Sequence, residues 1–224
     1  MEIYRVLMYN NPNIGLYARA DDEFLLIPSG FPDDKGMRLA ELLGSSPLHT
    51  SIAGTRLLGA LMVMNRNGVL VSRMADDGEL KALREAMPGR VVERLDARAT
   101  AVGNLVAAND HGAVASDILG PREISQIRDV LDVRVERMEV AGFHQVGAVV
   151  AANNAGALVH PLATDSEMSA ISDALGVGDV DRGTVNGGIP FVSSGIIANG
   201  RAVLVGSKTV GPELFIVGKV FKGG

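Results

Sequence analysis

Four histidines are the first residues to weigh for chemistry: His49, His111, His144 and His160. A metal centre or an acid–base pair needs such groups at ligand spacing, with carboxylates or further imidazoles beside them. Only His111 has such a neighbour in the chain, Asp110. Adjacent side chains on a strand point to opposite faces, so that pair is poorly placed to share a ligand. All four are read as structural or surface groups. Gly206-Ser207-Lys208-Thr209 fails as a phosphate loop, because Ser207 separates the glycine from the lysine. The glycine-rich stretch 183–188 has no lysine and serves as a tight turn. The acidic pairs Asp21-Asp22, Asp33-Asp34 and Asp76-Asp77 fall at expected turns or helix starts. Carboxylates there accept from free backbone N–H groups and meet the helix dipole. The chain has no cysteine, hence no thiolate nucleophile and no thiolate metal ligand. No catalytic residue, no metal and no cofactor are expected.

Composition sets the frame for this. Of 224 residues, 47% are hydrophobic and 21% charged, with a net charge of −5, so the chain can fold on a core of useful size. No apolar run reaches the roughly 18 residues that span a membrane. The first nine residues lack the segments of a secretory signal. A soluble cytoplasmic protein is expected. Mild acidity argues against a general nucleic-acid coat, while leaving room for one specific RNA contact or for docking on basic proteins.

The elements that would position any site come as a repeat. Gly15, Gly59, Gly103 and Gly147 stand 44 residues apart; Asn65, Asn109 and Asn153 share that spacing, and Asn199 follows after 46. Apolar runs flank each asparagine, as in Leu61-Met62-Val63-Met64 before Asn65 and Val69-Leu70-Val71 after Gly68. Two such runs joined by Asn and Gly predict a β-hairpin, with Asn and Gly taking the positive φ angles of a tight turn. A helical stripe follows in each unit: Leu80, Leu83, Ala86 and Met87, then Ile124, Ile127, Val130 and Leu131, then Met168, Ile171, Ala174 and Leu175. Leu214, Val217, Val220 and Phe221 repeat it last, and Leu39, Leu42 and Leu43 give a weaker first copy. Gly120-Pro121 and Gly211-Pro212 place proline in a first helical turn, and Asp76, Asp77, Asp165 and Ser166 are candidate caps.

The unit is strand, turn, strand, helix, short strand. Five units make one α/β domain of 224 residues, divided near 1–48, 49–94, 95–138, 139–184 and 185–224. A linear solenoid needs polar terminal caps. Phe221 sits on the same apolar ladder as Leu43, so no cap is evident and a closed five-fold ring is predicted, with helices outside and hairpins at the centre.

Several words of this sequence resemble the translation initiation factor 6 family, archaeal type. His49-Thr-Ser-Ile-Ala-Gly54 with Gly59 and Asn65-Arg-Asn-Gly68 is similar to its second repeat. Val102-Gly103-Asn104-Leu105 with Asn109-Asp110 is similar to the third, and Gly156-Ala157-Leu158-Val159-His160-Pro161 to the fourth. Gly183-Thr184-Val185-Asn186 and Gly211-Pro212-Glu213-Leu214 are similar to the fifth, while Val192-Ser193 stands where that family has Val-Gly. The resemblance implies the pentein fold, a five-bladed α/β propeller. It implies binding to the large ribosomal subunit on its intersubunit face, against ribosomal proteins and rRNA near the sarcin–ricin loop. The outcome there is steric exclusion of the small subunit, in translation initiation or ribosome biogenesis, by a monomer that is not an enzyme.

In a pseudosymmetric ring, function should break the symmetry. The residue after the repeat glycine is Leu16, Ala60, Asn104 and Ala148, with Ser194 in the fifth copy, so Asn104 is polar where three of the others are apolar. Arg56, Asn65, Arg66 and Asn67 add donors near the second hairpin, and Asn109 and His111 near the third. These seven are the candidate ribosome-binding residues, expected on one edge of repeats two and three. Two alternatives stand beside this reading: a pentein enzyme acting on guanidino compounds without a cysteine nucleophile, and a structural protein that self-assembles through its outer helices.

Overall fold

The computed structural model describes residues 1–222. The chain opens with strand β1 (Glu2–Val6) and a 3-10 turn, Ile14–Leu16. The first blade follows: β2 (Arg19–Ala20), β3 (Phe24–Pro28), α1 (Asp33–Leu43) and β4 (Ser46–Thr50). The second begins with a helical turn α2 (Leu58–Leu61), then β5 (Met62–Met64), β6 (Gly68–Ser72), α3 (Asp77–Ala86) and β7 (Val91–Leu95). The third has α4 (Val102–Leu105), β8 (Val106–Ala108), β9 (Gly112–Ser116), α5 (Pro121–Leu131) and β10 (Arg134–Met138). The fourth has α6 (Val146–Val149), β11 (Val150–Ala152), β12 (Gly156–Val159), α7 (Asp165–Leu175) and β13 (Asp179–Arg182). The fifth ends the chain with a 3-10 turn Val192–Gly195, β14 (Ile196–Ala198), β15 (Ala202–Gly206) and α8 (Gly211–Val220).

Each blade is a three-stranded sheet whose middle strand runs antiparallel to the inner strand and parallel to the outer one, as β6 does between β5 and β7. The fifth sheet takes its outer strand from the other end of the chain. There β1 pairs in parallel with β15, from Glu2↔Ala202 to Val6↔Gly206. That pairing closes the ring, which is the five-fold pseudosymmetric pentein arrangement expected from the repeat.

Local chemistry explains the helices. Asp76 caps α3 in a reciprocal box with Glu79, and Thr164 caps α7 in the same way with Glu167. Thr164 thus holds the place that the sequence suggested for Asp165 or Ser166. Gly44 and Gly176 end α1 and α7 in the left-handed conformation that glycine adopts without strain. The apolar stripes face inward: Leu80 and Leu83, Ile127 and Val130, Ile171 and Leu175, Val217 and Phe221 are all buried. Phe221, at 0% exposure, is among the largest fully buried side chains. Burying each such side chain contributes about 1.5–3 kcal/mol.

Two local expectations change. The run beginning at Leu61 is not strand throughout, because α2 ends at Leu61 and only Met62–Met64 extends. The hairpin turns do not use positive φ at asparagine either. Neither Asn65, Asn109, Asn153 and Asn199 nor Gly68, Gly112 and Gly156 adopts it. Instead the Asn65 Oδ1 accepts from the N–H groups of Asn67 (3.0 Å) and Gly68 (3.0 Å), a side-chain turn that leaves the backbone relaxed. Gly68 is glycine because a Cβ there would lie 2.2 Å from the carbonyl oxygen of Val130 on α5.

Candidate functional site

The inner strands surround a central tunnel, and the ring has two chemically distinct ends. At the turn end, the repeat glycines pack backbone against backbone around the axis. A Cβ on Gly59 would sit 1.8 Å from Gly15 O, one on Gly103 2.0 Å from Gly59 O, and one on Gly147 2.3 Å from Gly103 O. That close approach is what the 44-residue glycine spacing encodes. Ser193 holds the fifth such position. The guanidinium of Arg19 fills the axis there, donating to Gly59 O at 2.7 Å and lying 3.3 Å from the Ser193 hydroxyl.

At the hairpin end, the repeat asparagines tie the blades together. Asn65 Nδ2 donates to Asn109 O (3.1 Å) and to Leu131 O (2.8 Å). Asn109 repeats this toward Asn153 O (3.0 Å) and Leu175 O (2.9 Å). Asn153 continues to Asn199 O (2.9 Å), and Asn199 returns to Asp21 O (3.2 Å) and Leu43 O (2.8 Å). Buried amides satisfied at both ends are the low-cost way to hold polar groups inside a fold.

This divides the seven candidates. Arg56 and Asn104 lie at the turn end; Asn65, Arg66, Asn67, Asn109 and His111 lie at the hairpin end. The three-residue inner strand between them spans about 10 Å, so they do not share an edge. Asn65 and Asn109 are 2% and 5% exposed, with their amides committed to the ladder. Asn67 Nδ2 is likewise spent on Leu131 O at 3.0 Å. Arg66 and His111 are exposed. Asn104 is half-buried, and among the described residues its side chain makes no hydrogen bond. Arg56 is exposed, with its guanidinium carbon 5.0 Å above the centre of the Tyr9 ring.

Other residues at the turn end escaped the sequence reading. Met74, Ile118 and Leu162 are 54%, 52% and 73% exposed, just after the middle strands. They too stand 44 residues apart, which was the available signal. Arg73, Arg98 and Arg122 are exposed beside them, and among the described residues none is in an ion pair. On the fourth and fifth blades the rings of Phe143, His160 and Phe191 cluster, Phe143 tilted against His160 with centroids 5.0 Å apart and edge-to-face with Phe191 at 5.5 Å. Burial lowers the pKa of His160, and its Nδ1 accepts from Leu162 N at 3.2 Å, so the ring is a neutral acceptor there. Asp117, Glu139 and His144 also meet at this end, with ligand atoms within 4.8 Å of one another, all three exposed. Sequence distance hid that meeting.

Helix-start glutamates hold the loops of this end. Glu79 accepts from Ser51 Oγ (2.8 Å), Ala53 N (2.8 Å) and Gly54 N (2.9 Å). Glu167 accepts from Ala141 N (2.9 Å), and Glu213 from Gly187 N (3.0 Å), Gly188 N (2.8 Å) and Thr184 Oγ1 (2.7 Å). Burial alone would raise these carboxyls, but the converging donors outweigh it and hold all three below the usual glutamate value. The loops are therefore held in place, and the surface they present is pre-organised.

The sequence profile of the eIF-6 family matches residues 3–220. The chain is 39% identical over 223 residues to a protein of Cenarchaeum symbiosum (strain A) named Translation initiation factor 6, covering 100% of both chains. A protein of the same name from Nitrosopumilus maritimus (strain SCM1) is 42% identical over 221 residues, 99% of each chain. Another from Saccharolobus solfataricus (strain ATCC 35092 / DSM 1617 / JCM 11322 / P2) is 32% identical over 219 residues, 98% of each.

Proposed function

Because the chain belongs to the eIF-6 family, we propose that it acts by occupancy: it binds the large ribosomal subunit on its intersubunit face and keeps the small subunit from joining. The observation that carries this reading is the difference between the two ends of the ring. At the hairpin end, the asparagine amides are consumed by the ladder. At the turn end, the half-buried Asn104 amide has no hydrogen-bond partner among the described residues, and Arg56, Arg73, Arg98, Arg122, Met74, Ile118, Leu162 and Phe191 are exposed. Arginine and aromatic side chains amid apolar neighbours are the groups that dominate binding energy at interfaces. The arginines suit phosphates or carboxylates, which an rRNA backbone and ribosomal proteins both supply.

Size is adequate for steric exclusion. A standard interface removes about 800 Å² from each partner, under a tenth of the 9469 Å² surface of this chain. The rest of the ring stands off the subunit as a barrier. The five repeats act as one body, as a monomer in the cytoplasm, and no bond is made or broken.

Sedimentation tests this. Purified protein is run on gradients with isolated archaeal large and small subunits, and joining is scored in the same run. Travel with the large subunit alone, with joining blocked, supports the proposal. Protein left at the top while subunits join contradicts it.

A further inference from the structure

We propose that the central tunnel binds one small monovalent anion, of the chloride or bromide class, against the guanidinium of Arg19. The tunnel forms a cavity of about 70 Å³, against roughly 30 Å³ for one water in the liquid. A halide with accompanying water fits. Its walls are mostly Ala, Val and Ile from the inner strands, and among the residues lining it Arg19 is the one charged group.

Arg19 and Ser193 both break the repeat, and they meet. The positions equivalent to Arg19 in the other blades are Val63, Ala107, Ala151 and Ile197, and those equivalent to Ser193 are glycines. Four apolar equivalents show that the ring needs no cation at this position to close. The guanidinium is incompletely satisfied by protein. Of its contacts only the one to Gly59 O is short, at 2.7 Å; Gly15 O, Gly103 O and Ser193 Oγ lie at 3.4, 3.5 and 3.3 Å. Five N–H donors are available on the group. A half-buried cation with spare donors and, among the described residues, no carboxylate partner leaves its charge uncompensated, and a small anion in the same cavity supplies the missing charge. Desolvation pushes the Arg19 pKa down to about 10, which still leaves it charged at neutral pH.

The mouth at the hairpin end sets the selectivity. It carries Asp21, Asp22 and Asp110. Asp22 and Asp110 already accept from the N–H groups of Gly200 (2.7 Å) and Arg66 (2.9 Å). These carboxylates repel sulfate and phosphate more than a halide, because repulsion scales with ionic charge.

The test is thermal unfolding of the full chain at fixed ionic strength, with chloride replacing gluconate, which is too large for the cavity. Wild type should gain about 3–6 °C as the anion saturates. Arg19→Leu, which copies the apolar residues of the other blades, should fold and lose the response. Arg19→Lys should keep part of it. Crystals grown in bromide should show one anomalous peak beside the guanidinium. An equal chloride response in Arg19→Leu, or no peak at saturating bromide, overturns the proposal.

Discussion

The guanidinium of Arg90 donates to the carbonyl oxygen of Asn65 at 3.0 Å, and so does for the first two blades what an asparagine side chain does at every other boundary. The first blade has Asp21 in the ladder position, and an ionised carboxylate has no proton to give. Arg90 pairs with that carboxylate and also reaches Glu23 at 3.0 Å. Its side chain is 4% exposed. The seam between blades one and two is thus held by charge where the others are held by neutral amides. Arg90→Met should destabilise the protein by about 2–4 kcal/mol, since it strands a largely buried carboxylate and a carbonyl. The double variant Asp21→Asn with Arg90→Met restores an amide at the ladder position, and should recover most of that loss in urea unfolding. A double variant no better than the single one would show that the seam is not interchangeable with the ladder.

Glycine at the axis is a packing requirement. Gly103→Ala puts a methyl 2.0 Å from Gly59 O and 2.6 Å from Met62 O, both backbone atoms that cannot step aside. A loss of about 3 kcal/mol or more is expected, seen as a lower melting temperature. Gly211→Ala, where nothing among the described residues lies within 4 Å of the new Cβ, should change stability by less than about 1 kcal/mol. Equal effects from the two would contradict the close-packed axis.

Acid should loosen the turn end first. Converging hydrogen-bond donors hold the folded-state pKa values of Glu79, Glu167 and Glu213 below the usual glutamate value. Such groups contribute stability that is fully present above the unfolded value and is lost as pH falls through the folded one. Stability should therefore decline below about pH 4.5. Glu213→Gln, at a position 5% exposed, should be less stable at pH 7 and should lose less on acidification. Urea midpoints at pH 7, 5 and 3.5 check both parts. A variant whose midpoint falls in parallel with wild type would remove Glu213 from the account.

The ring, its five-fold repeat and its helix faces were legible because they rest on local periodicity. The 44-residue spacings of Gly59, Gly103 and Asn65, Asn109 report packing that recurs in every blade. What the asparagines do was not legible. Their side chains act on residues 44 and 66 positions away, and the sequence alone suggested the more local duty of a positive-φ turn. The same limit applies to the site. Asn104 stood out as a departure from symmetry and Arg56 as a donor expected near the second hairpin, and both lie at the turn end. Asn65 and Asn109 obeyed the symmetry and proved to be buried blade-to-blade bonds. The closing strand β1 was hidden for a simpler reason: its partner, β15, lies at the far end of the chain.

Under the proposed function the turn end of the ring meets the large subunit, and two variants separate this from the opposite placement. Asn104→Glu places a carboxylate at the turn end, and His111→Glu places one at the hairpin end. Both positions tolerate charge, since neither side chain is bonded within the chain among the described residues, and circular dichroism can verify that each variant folds. The decisive measurement is the dissociation constant of each protein for isolated large subunits. The account predicts that Asn104→Glu weakens binding by roughly tenfold or more while His111→Glu stays within about twofold of wild type. Weakening by His111→Glu with Asn104→Glu unchanged would place the interface at the opposite end and contradict it.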